Sequence, residues 1–309
     1  MQAGVPAILA LGEAMLEFNQ TRPGEPNYLQ GYGGDTSNAI IACARQGAPC
    51  GYITRVGSDE FGRMLLDLWR AEGVDTAGVA VDGEAHTAVY FVTHDARGHV
   101  FSYLRKDSAA SRMRADDLPA ELIRSARYLH VSGISQAISA SACDATFGAM
   151  ERARAAGVKI SYDTNLRLKL WPLERAREVI GRAIALSDYL LPSLEDLQAL
   201  TDVEGADALL DWCFDHGARS VVLKRGREGC IAATREARTP IAGRMVNTVD
   251  ATGAGDCFDG AFLARLHAGD DLVTAARYAN AAAALTTTGF GAVAPLPRRD
   301  AVLAFLSQA

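Results

Sequence analysis

Short apolar runs alternate with helical stretches along most of the chain, and this alternation restricts the fold more than any other feature. The first run, residues 7–11, is apolar at every position, as expected of a strand covered on both faces. The pattern predicts an α/β fold with a doubly wound, mainly parallel sheet flanked by helices, and ligands at the carboxyl ends of its strands. Further strands are predicted at 52–56, 128–131, 158–162, 189–191 and 220–224, a hairpin at 229–233 and 239–242, and helices at 60–72, 139–156, 173–186, 194–216, 272–286 and 299–306.

Four segments depart from this pattern because apolar and polar residues alternate within them. They are residues 15–19, 28–32, 88–93 and 100–105, and the last two are joined by the turn-rich segment 94–99. We predict that they form a small separate sheet, built from 13–33 and 86–106, which covers the ligand site as a lid within a single domain spanning 1–309. Its apolar surface and open edges predict a homo-oligomer that associates through this sheet.

A glycine-rich turn precedes an apolar helical pattern near the end of the chain. Gly253, Ala254 and Gly255 allow close approach of backbone N–H groups to a ligand, and the positive end of the helix dipole favours a phosphate there. Asp256 follows in the first turn, where an ionised carboxylate with an unperturbed pKa of ~3.9 suits a general base toward an attacking hydroxyl. Asp259, one turn further along, is interpreted as a helix-face residue or a local cap, with a supporting catalytic part as the alternative. A capped helix start explains the same short motif equally well, so the context must decide.

A second glycine-led segment runs from Gly33 and Gly34 through Asp35 to Asn38, ahead of a helix at 39–47. The two glycines could serve only as turn residues. A polar cluster at the end of a strand favours sugar binding instead, because carboxylate and amide groups match sugar hydroxyls.

Composition argues against several kinds of partner and compartment. The formal net charge is −6, with both signs interspersed and no basic cluster, which argues against nucleic-acid and membrane-surface binding. The six cysteines show no C-x-x-C spacing and predict a reduced, cytoplasmic protein. The apolar run at 5–11 is too short for a signal peptide or a membrane span. The histidines show no metal-ligand spacing, and metal ligands stay unassigned.

Taken in order, these motifs resemble the ribokinase-like, pfkB-type carbohydrate kinases. The resemblance rests on residues 33–38, 56–62 and 250–256 and covers essentially the whole chain. It implies ATP and Mg²⁺ as cofactors and leaves a monovalent cation open. It also implies Asp256 as the general base, with Gly253, Ala254 and Gly255 as the anion hole. The chain departs from the family pattern at Ala251, where Thr is commoner, and at 192–196, where Ser193 and Asp196 replace Asn and Glu.

Within the family the chain resembles the 2-keto-3-deoxygluconate kinases, on Tyr90, 101–105, 108–110 and 163–167. This resemblance implies a sugar-acid substrate, with Tyr90, Tyr103, Arg105 and Arg167 among its contacts. The residues whose resemblance implies nucleotide contacts are Asn165, Ser193, Lys224, Arg225, Gly226, Gly229 and Asn280.

Simpler roles compete with these assignments. The two tyrosines could pack within a sheet, and the two arginines could form surface ion pairs. Lys224 and the two residues after it could be an ordinary strand exit. At the level of function, a kinase of a neutral sugar is the alternative, and a non-catalytic sugar-binding protein would be expected to lack Asp256. A dinucleotide oxidoreductase is disfavoured because no G-x-G-x-x-G follows the first strand.

Overall fold

The computed structural model describes residues 5–95 and 98–308. The described strands are β1 (Ile8–Leu11), β2 (Met15–Gln20), β3 (Tyr28–Gly33), β4 (Cys50–Gly57), β5 (Val79–Asp82), β6 (Val89–Asp95), β7 (Gly98–Leu104), β8 (Tyr128–Ser132), β9 (Lys159–Asp163), β10 (Tyr189–Leu190), β11 (Ser220–Lys224), β12 (Gly229–Ala233) and β13 (Arg238–Ala242). The described helices are α1 (Asp35–Arg45), α2 (Glu60–Ala71), α3 (Ala120–Ser125), α4 (Gly133–Ala137), α5 (Ala140–Ala155), α6 (Leu173–Leu186), α7 (Leu194–Thr201), α8 (Ala206–Asp215), α9 (Ala254–His267), α10 (Leu272–Thr286) and α11 (Arg299–Ser307).

The main sheet has the strand order β13-β12-β11-β10-β9-β8-β1-β4-β5. Neighbours from β11 to β5 are parallel, and β12 and β13 extend the sheet as antiparallel strands. Strand β1 lies between β8 and β4, with Ile8 opposite both Tyr128 and Cys50. The predicted doubly wound, mainly parallel sheet is therefore confirmed, and its order reverses beside β1, where a ligand crevice is expected.

Helices cover both faces of this sheet and form two apolar cores. One core contains Ile40 of α1 and Phe262 of α9, and the other contains Phe147 of α5 and Ile180 of α6. Burying a side chain of this size stabilises the folded state by about 1.5–3 kcal/mol. The apolar strands and the apolar faces of the helices therefore drive the packing of helices on both sides of the sheet. All six cysteines are buried and free, as predicted. No helix in the part of the chain described is both long and apolar enough to cross a membrane.

The small sheet is separate, as predicted, and has the order β3-β2-β6-β7. Strand β2 pairs antiparallel with β3 and parallel with β6, and β6 and β7 form the predicted hairpin. Met15, Ala88, Tyr90 and Val92 form a small apolar cluster of their own on this sheet. Two residues of the predicted turn, Ala96 and Arg97, lie outside the described residues.

Two local predictions were wrong, and one strand was missed. The single helix predicted at 194–216 is divided into α7 and α8, because Asp202 adopts a left-handed conformation (φ 60°) and Gly205 has φ 89°. Helix α1 begins at Asp35, four residues earlier than predicted, and has no side-chain cap. Strand β5 was not predicted. It has only four residues, too few to show a clear strand pattern, and Val81 within it is largely exposed.

Candidate active site

One large cavity runs along the carboxyl ends of the parallel strands and under the small sheet. It encloses about 1810 Å³. Pockets for one small ligand usually measure about 300–1,000 Å³, so this cavity has room for two ligands side by side. Every site residue predicted from the sequence lines it except Arg225, whose guanidinium pairs with Glu228.

The glycine turn forms the floor of one part of the cavity. Gly253 has φ 75°, and a Cβ atom there would lie 2.8 Å from the carbonyl oxygen of Ala292. Glycine is therefore required for both conformation and space. Helix α9 begins at Ala254 without a side-chain cap. The Ala254 amide donates to the carbonyl oxygen of Ala251 at 3.2 Å, whereas the amides of Gly255 and Asp256 have no backbone acceptor among the described residues and suit an anion. Ala254, Gly255 and Asp256 line the cavity at this point.

Asp256 is half-buried at the junction between the glycine turn and helix α1. Its Oδ2 accepts a hydrogen bond of 2.8 Å from Nδ2 of Asn38. Burial and then the neighbouring Asp35 raise the pKa of Asp256 to about 7, although the Asn38 hydrogen bond acts in the opposite direction. The structure thus differs from the expected unperturbed carboxylate, because the sequence does not reveal this desolvation. A base with a pKa near neutrality is well matched to proton transfer at physiological pH.

Asp35 and Asn38 place acceptor atoms in the same part of the cavity. Nδ2 of Asn165 donates to Oδ2 of Asp35 at 3.1 Å. Oδ1 of Asp35 and Oδ1 of Asn38 are buried and have no hydrogen-bond partner among the described residues. Buried acceptors are normally satisfied, so these two atoms suit hydroxyl donors of a bound sugar. The contact of Asn165 lies within this cluster, and its assignment to the nucleotide stays a prediction.

Gly33 and Gly34 are required because the Tyr90 side chain and the backbone of Glu13 pack directly against them. A Cβ on Gly33 would lie 2.5 Å from the hydroxyl of Tyr90, and one on Gly34, which has φ 111°, would lie 2.4 Å from the carbonyl oxygen of Glu13. The Tyr90 hydroxyl donates to Glu17, and its ring stacks on Tyr103 with centroids 5.6 Å apart. The glycines are therefore more than turn residues, and both tyrosines line the cavity as well as packing together.

The two predicted arginines are in different environments. Arg105 pairs with Glu13, with Nη2 to Oε2 at 2.6 Å and Nε to Oε2 at 2.9 Å. Glu13 is almost completely buried and also accepts a 2.5 Å hydrogen bond from Ser108 Oγ. Arg167 is exposed and donates from Nη1 to the carbonyl oxygen of Leu166 at 2.9 Å, with no ion pair to any residue in the described ranges. Glu13 was missed from the sequence because it lies 92 residues from Arg105.

Several predicted nucleotide contacts fix the backbone at the other end of the cavity. Oγ of Ser193 caps α7 by accepting from the Asp196 amide at 3.0 Å, and Nδ2 of Asn280 donates to the Ala242 carbonyl at 2.9 Å. A Cβ on Gly229 would lie 2.1 Å from the carbonyl oxygen of Ile241, and Gly226 has φ 53°. These contacts explain why serine, asparagine and glycine occupy these four positions. The roles of the four residues in nucleotide binding stay predictions.

Lys224 lies below the glycine turn and is paired with two carboxylates. Its Nζ donates to Oδ2 of Asp163 and to Oδ1 of Asp259, each at 3.0 Å. Asp259 is therefore an ion-pair partner within the site and not only a helix-face residue. Its position three residues after Asp256 was the only signal of this in the sequence, because residues at that spacing share a helix face.

A divalent cation fits this site only through substrate phosphates and water. The described residues contain no group of three or more His, Cys, Asp or Glu side chains arranged to hold a metal. Asp196 lines the cavity, and burial and then Asp163 raise the pKa of its carboxyl group. A nearby cation would favour the ionised form of this carboxylate. Mg²⁺ commonly uses one or two carboxylates and phosphate oxygens, which matches this donor set.

A glycine turn at the start of α9, followed directly by a carboxyl group of near-neutral pKa in a cavity large enough for two ligands, suits an α/β enzyme of phosphoryl transfer. The sequence matches the pfkB family carbohydrate kinase over residues 6–299, and the chain belongs to this family. It is an ATP-dependent carbohydrate kinase with the ribokinase-like fold.

Relatives and solved structures cover all or nearly all of the chain. It is 36% identical over 325 residues to Fructokinase-1 of Zea mays, with 100% of each chain covered. It is similar to a structure from E. coli described as a ribokinase II with ATP and Mg²⁺, at 27% identity and a TM-score of 0.91, covering 98% of this chain and 100% of that one. A double-mutant fructokinase of Vibrio cholerae, solved with fructose, ADP and potassium, gives 30% identity and a TM-score of 0.88, with 99% and 100% covered. The family prediction is confirmed, whereas these relatives give no support to a specific 2-keto-3-deoxygluconate kinase.

Proposed function

We propose that the chain transfers the γ-phosphoryl group of ATP to the terminal hydroxyl of 2-keto-3-deoxygluconate. The observation that carries this proposal is the pair of arginines beside Tyr103. The Arg105 guanidinium lies 5.7 Å from the centroid of the Tyr103 ring. Burial raises the pKa of Tyr103, and the charges of Arg105 and Arg167 oppose that rise. One comes from the small sheet and the other from the loop after β9, and both line the cavity. A guanidinium can give a carboxylate two parallel hydrogen bonds, which suits a sugar acid.

In this proposal Asp256 accepts the proton of the attacking hydroxyl. Asn38 holds the carboxylate of Asp256 in place through its 2.8 Å hydrogen bond. The amides of Gly255 and Asp256, which have no backbone acceptor among the described residues, stabilise the negative charge on the transferred phosphoryl group. The unpartnered oxygens of Asp35 and Asn38 accept hydrogen bonds from sugar hydroxyls and so orient the substrate.

ATP would occupy the end of the cavity lined by Ser193, Gly226, Gly229 and Asn280. Mg²⁺, when bound, would supply positive charge that offsets the negative charge of the phosphates. Asp196 would hold this ion through water, since its Oδ2 already accepts the Leu166 amide at 3.1 Å. Residues for a monovalent cation are not assigned.

Fructose is the second candidate substrate, and two observations favour it. Two of the three relatives reported above are fructokinases. In addition, Glu13 already pairs with Arg105, which reduces the positive charge available to a substrate carboxylate. Because one fold hosts several substrates, the choice between the two sugars depends on site residues and must be measured.

The deciding experiment follows ADP release with 2-keto-3-deoxygluconate, its galactonate-derived epimer, fructose and ribose at equal concentrations of ATP and Mg²⁺. We expect kcat/KM for a sugar acid to exceed that for fructose by at least about tenfold, as expected for a single charged hydrogen bond. A preference for fructose would establish the second candidate. Binding of a sugar without turnover would instead support a non-catalytic sugar-binding protein.

A further inference from the structure

A buried group of charged side chains lies below the glycine turn, and the general-base mechanism does not use it. Lys224 ends β11, Asp163 ends β9, and Asp259 lies on α9. Nζ of Lys224 is 3.0 Å from Oδ2 of Asp163 and 3.0 and 3.3 Å from the two oxygens of Asp259. The Lys224, Asp163 and Asp259 side chains are only 12%, 7% and 1% exposed. One ammonium group is thus shared by two carboxyl groups away from water.

Lys224 is the only cation of this group. Burial would lower the pKa of Lys224, but Asp163 and Asp259 raise it above its ordinary value, so the ammonium persists. His130 on β8 has its Nε2 4.0 Å from Asp259 and its Nδ1 3.1 Å from Ser161 Oγ. Burial lowers the pKa of His130 to about 4, so this histidine is neutral near pH 7. The other ionisable groups on which Lys224 acts are Asp256 of α9 and Asp196 of α7.

The ammonium lies directly against the phosphate end of the cavity. A Cβ atom on Gly255 would stand 3.6 Å from Nζ of Lys224, and both residues line the cavity. Asp256 and Asp259 are three residues apart on α9, so they share one face of the helix. A single helix face therefore carries the base and a group that contacts the lysine.

Asp259 contacts Lys224 through both of its carboxyl oxygens, and it also lies beside Asp163 and His130. Oδ1 of Asp163 also accepts the Asn165 amide at 3.2 Å, so this carboxylate shapes the loop after β9 as well. Both oxygens of Asp259 contact Lys224, and burial raises the pKa of Asp259 while the Lys224 ammonium opposes that rise. A lysine side chain is a flexible stem, and one acceptor alone leaves its ammonium several positions.

We propose that Asp259 is a positioning residue for phosphoryl transfer: it fixes the Lys224 ammonium beneath Gly255, where this charge stabilises both the transferred phosphoryl group and the ionised form of Asp256. The proposal rests on the carbohydrate kinase activity and not on the identity of the sugar. Asp259 touches no reacting atom and acts through Lys224.

The test compares Asp259→Leu, which is similar in size and offers no acceptor, with Asp259→Asn, which keeps one acceptor. Both are assayed with the sugar that the wild-type enzyme phosphorylates best. For Asp259→Leu we expect kcat to fall about 10- to 100-fold, as when a reacting group is misplaced by about 1 Å. The fall of kcat at low pH, the acid limb of the profile, should also begin at a higher pH. The reason is that the Lys224 charge no longer stabilises the ionised form of Asp256 as well, so the pKa of Asp256 rises. Asp259→Asn recovers most of the lost kcat.

Asp188→Asn is the matched control. Its Oδ1 binds Lys159 at 3.0 Å and Arg219 at 2.8 Å at the amino-terminal edge of the same sheet, away from the cavity. We expect this variant to keep the wild-type kcat and acid limb. Thermal unfolding and ADP binding verify that each variant is folded.

A double-variant cycle tests whether Asp259 acts through Lys224. In a Lys224→Met background, Asp259→Leu should reduce kcat no further. The proposal is overturned by a wild-type kcat and acid limb in Asp259→Leu, by equal impairment of the Leu and Asn variants, or by a full additional loss in the double variant. Absence of wild-type turnover on every sugar counts instead against the kinase activity itself.

Discussion

At the scale of single residues, the surroundings of Asp256 determine how activity depends on pH. A general base must be ionised, and burial together with Asp35 raises the pKa of Asp256 to about 7. We therefore expect kcat/KM to fall as pH drops through this value, approaching tenfold per unit well below it. Asp256→Asn should lower kcat by about 10²–10⁴-fold with nucleotide binding preserved. The measurements are the pH profile of the wild type and ADP binding by the variant.

Asp35→Asn serves as the control for this assignment. Removing the Asp35 carboxyl group removes one cause of the raised pKa, so the acid limb should move to lower pH. Near-native turnover by Asp256→Asn would assign the base to another residue. If the acid limb of the pH profile stays at the same pH in Asp35→Asn, Asp35 does not raise the pKa of Asp256.

Arg167 gives the cleaner test of acid recognition, because Arg105 cannot be removed without leaving Glu13 unpaired. Glu13 is 1% exposed, and an unpaired buried carboxylate destabilises the fold whichever sugar is present. Arg167→Ala should lower kcat/KM for 2-keto-3-deoxygluconate by about 10- to 150-fold, corresponding to roughly 1.5–3 kcal/mol, with little change for fructose. Arg124→Ala, on the surface of α3, should leave both values unchanged. Equal losses on both sugars in Arg167→Ala would show that this residue does not recognise the acid.

At the scale of elements, the sequence predicts what is encoded locally. The apolar run of β1 and the positive-φ glycine at the start of α9 are visible as residue types within a few positions, because burial and backbone conformation determine them. The break at Asp202 was missed, since helical periodicity continues across it and only the left-handed backbone ends α7. The pairing of Glu13 with Arg105 and of Asp163 with Lys224 joins residues 92 and 61 positions apart. Only the folded sheet brings such pairs together.

The contacts of Arg45 predict that α1 stabilises the loop that packs beside the glycine turn. Nη1 of Arg45 donates to the carbonyl oxygens of Val293 and Leu296 at 3.0 and 2.6 Å, and Nη2 pairs with Glu72 at 2.6 Å. The same loop packs Ala292 against Gly253. Arg45→Met should lower the free energy of unfolding by roughly 3–5 kcal/mol, because Glu72 and the carbonyls lose a largely buried partner. It should also lower kcat, since the loop no longer supports the turn.

Urea unfolding and steady-state kinetics test the role of Arg45. The matched control is Arg63→Met, which removes a guanidinium paired with Glu60 and Asp67 on the exposed face of α2. That variant should leave both the unfolding free energy and kcat nearly unchanged, because exposed pairs are screened by water. Equal effects of the two substitutions would contradict the proposed support.

At the scale of the whole molecule, the site is divided between two sheets. The small sheet contributes Tyr90, Tyr103 and Gly33 to the cavity, while the helix that begins after β13 contributes Asp256. The position of the small sheet over the sugar end is consistent with a lid. Because this sheet carries the predicted sugar contacts Tyr90 and Tyr103 as well as exposed apolar residues, we expect substrate recognition and self-association to involve the same element.

We predict that the chain forms a homodimer through the small sheet. Leu29 and Leu104 are each 59% exposed on its edge strands β3 and β7, and open edges with apolar side chains favour association with a second copy. Leu29→Asp should shift the protein to a monomer, because a charge would be buried without a partner. Leu303→Asp, at a leucine 44% exposed on α11, should leave the dimer intact. Light scattering coupled to gel filtration at micromolar concentration measures both, and a monomeric wild type would show that this apolar surface does not hold two copies together.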